Sequence, residues 1–126
     1  MSNKLENIGI IGAGAWGTAL ACNLSKKKII LWAYEKKVVS EINKFKTNKT
    51  FLPKIKIPKN IYATKNLKEL AMCKFIFICV PSQFVKKIIL QFKNFYKKEM
   101  IIIICSKGLE HSSKSLISEM IKALKR

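Results

Sequence analysis

The stretch Asn7-Ile8-Gly9-Ile10-Ile11-Gly12-Ala13-Gly14-Ala15-Trp16-Gly17-Thr18-Ala19-Leu20 decides how the rest of the chain folds. Four residues, Ile8 to Ile11, read as a short apolar strand, and a helix opens at Ala15 beyond a glycine turn. Gly12, Gly14 and Gly17 form G-x-G-x-x-G, and each glycine has its own task. Gly12 permits the tight turn out of the strand, Gly14 lets backbone approach a pyrophosphate, and Gly17 lets the helix pack closely on the strand. Free N–H groups at the helix start, with the positive end of its dipole, make an anion site. The triplet alone is a weak signal, and its place between a strand and a helix near the N-terminus supplies the context a dinucleotide site requires.

At 126 residues the chain is read as one domain, and its 49% hydrophobic content is enough for a core. No apolar run approaches the ~20 residues that span a bilayer. Met1 to Glu6 lacks the apolar centre of a signal peptide, so a soluble, cytoplasmic chain is expected. The net charge of +18 comes from 25 Lys and Arg against seven acids. A nucleic-acid reader favours arginine, whose fork reads guanine and phosphate bidentately, and Arg126 is the only arginine here. Lysines such as Lys44, Lys54, Lys86 and Lys97 are scattered, which reads as a solvated basic surface that also draws in anionic ligands. Cys22, Cys73, Cys79 and Cys105 lack metal-like spacing and are expected to be reduced and structural, the last two inside apolar strands.

Downstream, a small-residue helix over 16–25 runs to Lys26-Lys27-Lys28, which suits a helix C-terminus. Ile29 to Ala33 reads as a buried parallel strand, and Glu35 follows 18 residues after Gly17. An acid near that distance is expected on the adenine-ribose hydroxyls, and it equally suits the acidic first turn of the next helix. Lys36 to Phe45 is helical with Val38, Val39, Ile42 and Phe45 on one face, and Lys46 to Asn60 is a long proline-marked connection of a kind that is often functional. Ile61 to Ala63 is a short strand, and Asn66 caps a short helix over Leu67 to Ala71. Phe75 to Val80 is a buried strand stopped by Pro81, and Ser82 caps a helix whose Val85, Ile88, Ile89, Phe92, Phe95 and Tyr96 recur at helical steps. Met100 to Cys105 is a fifth strand, and Ser112 or Ser113 opens a last helix carrying Leu116, Ile117, Met120, Ile121 and Leu124.

This alternation implies an α/β fold, a Rossmann-type doubly wound, mostly parallel sheet with helices on both faces. Ligands of such sheets sit off the carboxyl ends of the strands. Gly12–Gly17, Tyr34 with Glu35, Pro81–Phe84 and Ser106–Gly108 all follow strands, so they should converge on one crevice. The chemistry available is narrow. His111 is the single histidine, has no spaced acid or nucleophile, and is read as solvated; no metal cluster is visible. Lys107 is more informative, because it follows a buried strand at the ligand edge beside Gly108.

Five motifs in order, Gly12-Ala13-Gly14-Ala15-Trp16-Gly17-Thr18-Ala19-Leu20-Ala21, Leu31-Trp32, Asn48-x-x-Phe51-Leu52-Pro53, Val80-Pro81-Ser82-Gln83 and Ser106-Lys107-Gly108-Leu109-Glu110, resemble the NAD(P)-dependent glycerol-3-phosphate dehydrogenases of bacterial and organellar type. The resemblance runs over residues 8–126. It implies reversible hydride transfer between NAD(P)H and dihydroxyacetone phosphate, giving sn-glycerol 3-phosphate for phospholipid synthesis. On that pattern Ala15 and Trp16 lie beside the cofactor pyrophosphate, Tyr34 and Glu35 flank the adenosine ribose, and Phe51 closes over the cofactor. Pro81 and Ser82 would line the nicotinamide half, and Lys107 would touch cofactor and substrate. The Lys26–Lys28 turn is shorter than usual and lacks a common glycine. Glu35 repels a 2′-phosphate while Lys36 and Lys37 would accept one, so NAD is favoured only modestly over NADP.

Members of the family continue for on the order of 200 residues as a helical domain. That domain carries the catalytic lysine and most substrate phosphate contacts, and the full-length enzyme is expected to be a homodimer. The expectation is therefore a cofactor-binding half, with no catalytic residue of its own and little turnover alone. Two other readings are a different two-domain dehydrogenase, for 3-hydroxyacyl or ketopantoate substrates, and a non-catalytic dinucleotide-sensing or nucleic-acid-binding module. Phe51-Leu52-Pro53 and Ser106-Lys107-Gly108 argue against the former.

Overall fold

The computed structural model describes residues 7–24 and 26–105. Five strands form one sheet: β1 (Ile8–Ile11), β2 (Ile29–Trp32), β3 (Ile61–Thr64), β4 (Phe75–Ile78) and β5 (Ile101–Ile104). Their order is β3-β2-β1-β4-β5, and all four pairings are parallel. Three helices connect them: α1 (Ala15–Asn23), α2 (Lys36–Phe45) and α3 (Ser82–Phe92). A 3-10 segment, Leu67–Met72, stands between β3 and β4, and a short 3-10 turn, Lys93–Phe95, follows α3.

The two-residue period of a strand explains how this chain builds two cores from one sheet. Ile11, Ile30, Trp32, Ile76 and Ile78 face one side with Leu67, Leu70, Val85, Ile88, Ile89 and Phe92. Their alternate neighbours Ile8, Ile10, Ile29 and Leu31 face the other, against Ala21 of α1 and Val38 and Ile42 of α2. Strands covered on both faces must be apolar throughout, which is why β1, β2 and β4 read as unbroken hydrophobic runs. Fully burying one such side chain is worth about 1.5–3 kcal/mol.

The strand and helix ends differ from the sequence reading for local reasons. β4 stops at Ile78, not Val80, because β1 beside it has already turned off at Gly12; a last bond runs from Cys79 N–H to the Ile11 carbonyl at 2.8 Å. Cys79 and Cys105 accordingly stand just past their strands rather than inside them. α1 ends at Asn23 with no basic residue in its last turn, so Lys26 to Lys28 lie beyond it, in the link to β2. Asn66 does cap, its side chain accepting from Lys68 N–H at 3.1 Å, but the segment it opens is 3-10 rather than α. Ser82 does not cap α3: Pro81 occupies the N-cap position with extended ψ of 145°, and Ser82 is the first helical residue. A proline there supplies its fixed φ and needs no side-chain oxygen. Phe95 and Tyr96 fall beyond α3 and still pack on the first core. The final helix, with Ser112, Ser113, Leu116, Ile117, Met120, Ile121 and Leu124, lies outside the described residues, as do Met1 to Glu6.

Candidate dinucleotide-binding site

In this strand order the connections leave β1 and β4 toward opposite faces of the sheet, and a crevice opens between their carboxyl ends. It has a volume of about 620 Å³ and is lined by Gly12, Gly14, Tyr34, Glu35, Phe51, Pro81 and Phe84, among others. Three of the four segments expected to meet there do so. The fourth, Ser106–Gly108 with Lys107, lies outside the described residues, and so does His111.

Two glycines in the loop are demanded by geometry. Gly12 has φ of +122°, and a Cβ there would stand 2.5 Å from the Cys79 carbonyl oxygen. Gly17 is buried against the loop, where a Cβ would collide with the Gly12 carbonyl oxygen. Gly14 is the opposite case: a Cβ would meet nothing within 4 Å. That open space borders the crevice at the N-terminus of α1, whose first turn has no acidic side chain. Such a cradle of unencumbered backbone and helix dipole fits a pyrophosphate.

The other site residues fall into groups. Tyr34 and Glu35 follow β2 and stand exposed at the crevice. Glu35 is the N-cap of α2 without a side-chain capping bond; its carbonyl accepts from Val38 and Val39 N–H, and the residue lines the cleft. Phe51 reaches the cleft from a tight turn in the 46–60 connection. Ala15 and Trp16 open α1 at the surface without lining the crevice, and Ser82 is likewise off its wall. Lys65 and Lys87, which the sequence did not single out for this site, line the same cleft as Glu35, the lone acid among its lining residues. Nothing marks them among so many lysines except that Lys65 follows β3 and Lys87 lies one turn into α3.

Buried polar bonds hold the cleft walls. Trp32 Nε1 donates to the Lys65 carbonyl at 2.9 Å, tying β2 to the end of β3. Asn48, also unmarked by any site reading, is fully buried beneath the glycine loop. Its Nδ2 donates to the Ala13 carbonyl at 2.9 Å and to Thr18 Oγ1 at 3.0 Å. Thr18 Oγ1 donates in turn to the Ala13 carbonyl at 3.2 Å. The Cys79 thiol, on the cleft wall, is pushed up to about 12 by burial and by the neighbouring Cys105 thiol. All four cysteines are free thiols, and no group of metal-ligating side chains occurs among the described residues. No helix among them is long and apolar enough to cross a membrane.

With this geometry in hand, the likeness to known proteins is specific. Residues 7–125 match the family described as NAD-dependent glycerol-3-phosphate dehydrogenase N-terminus. A glycerol-3-phosphate dehydrogenase (NAD(P)+) of Citrifermentans bemidjiense is 38% identical over 122 residues, 94% of this chain and 36% of that protein. One of Maricaulis maris is 33% identical over 122 residues, 95% of this chain and 37% of its own length. A crystal structure of glycerol-3-phosphate dehydrogenase from Coxiella burnetii superposes with a TM-score of 0.84 at 32% identity, over 98% of this chain and 39% of that one. The chain thus spans little more than a third of the relatives it matches. The glycine loop, the parallel sheet and this match together place the chain in the NAD-dependent glycerol-3-phosphate dehydrogenase N-terminal family.

Proposed function

We propose that the chain is the cofactor-binding part of an NAD(P)-dependent glycerol-3-phosphate dehydrogenase. The open cradle at Gly14, set at the start of α1 and on the crevice wall, carries this reading. Backbone N–H groups of the Gly12–Gly17 loop hold the linked phosphates, and Tyr34 and Glu35 flank the adenosine ribose. Phe51 covers the bound dinucleotide and Pro81 borders its nicotinamide half; Ala15, Trp16 and Ser82 stand off the crevice wall, so they meet the cofactor at its rim, Ala15 and Trp16 on the pyrophosphate side and Ser82 on the nicotinamide side. The nicotinamide, when bound, supplies a hydride to a carbonyl carbon or takes one from a carbinol. The substrate pair is dihydroxyacetone phosphate and sn-glycerol 3-phosphate, feeding phospholipid synthesis in the cytoplasm. Lys107 contacts both cofactor and substrate, where its ammonium stabilises charge gathering on oxygen.

NAD is favoured over NADP because Glu35 lies at the cleft and repels a 2′-phosphate; Lys36, Lys37, Lys65 and Lys87 limit that preference. The general acid–base lysine belongs to the helical domain that follows this part in the family's longer members, and the working enzyme is a homodimer. Residues 1–126 alone therefore bind dinucleotide with negligible turnover. Titrating the chain with NADH, NADPH and duplex DNA at near-physiological salt tests the reading. Saturable nucleotide binding with weak, salt-sensitive DNA association is expected. DNA binding that survives salt, without nucleotide binding, would overturn it in favour of a nucleic-acid module.

A further inference from the structure

The buried node formed by Asn48, Thr18 and Ala13 has a consequence for the loop above it. The Ala13 carbonyl accepts two side-chain hydrogen bonds, from Asn48 Nδ2 and Thr18 Oγ1, and both donors belong to residues that are fully buried. A carbonyl can only accept, and the Thr18 hydroxyl spends its proton on that carbonyl, so Asn48 must present its NH2 group to both partners. Its Oδ1 is left buried without a partner, so orienting the amide toward the loop leaves one acceptor unsatisfied. A trans peptide is planar, with C=O and N–H pointing opposite ways. An Ala13 carbonyl held inward therefore turns the Gly14 N–H outward. That N–H has no acceptor among the described residues, and Gly14 borders the crevice.

The same asparagine controls a second wall. Its carbonyl accepts from Leu52 N–H at 2.7 Å, closing the turn that carries Phe51 to the cleft. We propose that Asn48 is a positioning residue for dinucleotide binding: it aims the Gly14 N–H at the incoming pyrophosphate and ties the Phe51 turn to the same peptide. This inference rests on the proposed dinucleotide function. It goes beyond it by naming a residue that touches no ligand and acts through the Ala13–Gly14 peptide.

The test is a titration of the isotopically labelled 126-residue chain with NADH and, separately, with adenosine, which has no phosphates. Affinity and the Gly14 amide resonance are read together. Asn48→Ala should weaken NADH by about tenfold and shrink the Gly14 shift at saturation, while adenosine changes less than about twofold. Thr18→Val keeps the side-chain shape, removes one donor to Ala13, and should show a smaller loss of the same phosphate-dependent kind. Thr18→Ser should restore wild-type behaviour. If Asn48→Ala fails to fold, the Thr18 pair decides. Wild-type NADH affinity and Gly14 shift in the variants would overturn the inference, as would equal losses for NADH and adenosine. A wild-type chain that binds no NADH would remove the dinucleotide reading and this inference together; the other adverse results leave that reading standing.

Discussion

Gly17 and Gly12 are in contact across the turn that joins β1 to α1, with no room between them for a side chain on Gly17. The obstacle is the Gly12 carbonyl oxygen, which is backbone and has no rotamer to move away. The six residues from Gly12 to Gly17 thus fold back onto themselves, which brings the start of α1 against the end of β1 and sets the helix dipole at the crevice.

Gly17→Ala should therefore damage the fold first and binding second. Overpacking of this sort costs about 1–3 kcal/mol, and more where the neighbour is immobile backbone. Chemical denaturation should show a lower midpoint with an unchanged slope, accompanied by weaker NADH binding. A wild-type midpoint would contradict the contact.

Glu35→Gln tests the charge at the cleft. The side chain is exposed and makes no capping bond, so stability should change little. NADPH affinity should rise relative to NADH by about three- to tenfold, in the range of one like charge removed near a phosphate at a solvent-exposed site. The gain should shrink as salt is added. An unchanged ratio at low salt would place the 2′ position away from Glu35.

Cys73 offers a pH signature. Burial pushes its thiol from an ordinary 9.0 up to about 11, with the Lys28 ammonium working weakly in the other direction. Between those values the unfolded chain has lost the proton and the native chain keeps it, so stability is intact below pH 9 and falls as pH rises toward 11. Urea denaturation from pH 8 to pH 11 should show a steeper decline for wild type than for Cys73→Ala. Parallel curves would contradict the burial effect.

Much of this architecture was legible in the chain, and the reasons are visible in particular residues. Apolar runs such as Ile8–Ile11 and Ile29–Trp32 announce strands covered on both faces. Val38, Val39, Ile42 and Phe45 mark one face of α2 by their spacing; Val38 and Ile42 are buried, while Phe45, at the helix end, is 65% exposed because the chain turns away there at Lys46. The glycine triplet predicts its own turn because Gly12 and Gly17 have steric reasons that depend only on neighbours in sequence and on β4. Less legible was anything set by tertiary partners. The end of β4 depends on where β1 leaves the sheet, and the role of Pro81 as cap depends on how β4 exits. Lys65 and Lys87 could not be singled out from composition, since only folding brings them to the cleft. Asn48 was visible as part of a motif but not as a buried donor, because its acceptor is 35 residues away at Ala13.

The most direct measurement is calorimetric titration of NADH into the wild-type chain and into Gly14→Ala, with thermal unfolding of both. The φ of −75° at Gly14 suits alanine, and its Cβ would touch nothing. One NADH site per chain is expected, with an unfolding midpoint nearly unchanged by the substitution and an affinity reduced at least about tenfold, because the new methyl occupies the space of the pyrophosphate. Full-strength NADH binding by a well-folded Gly14→Ala chain would contradict that placement of the pyrophosphate.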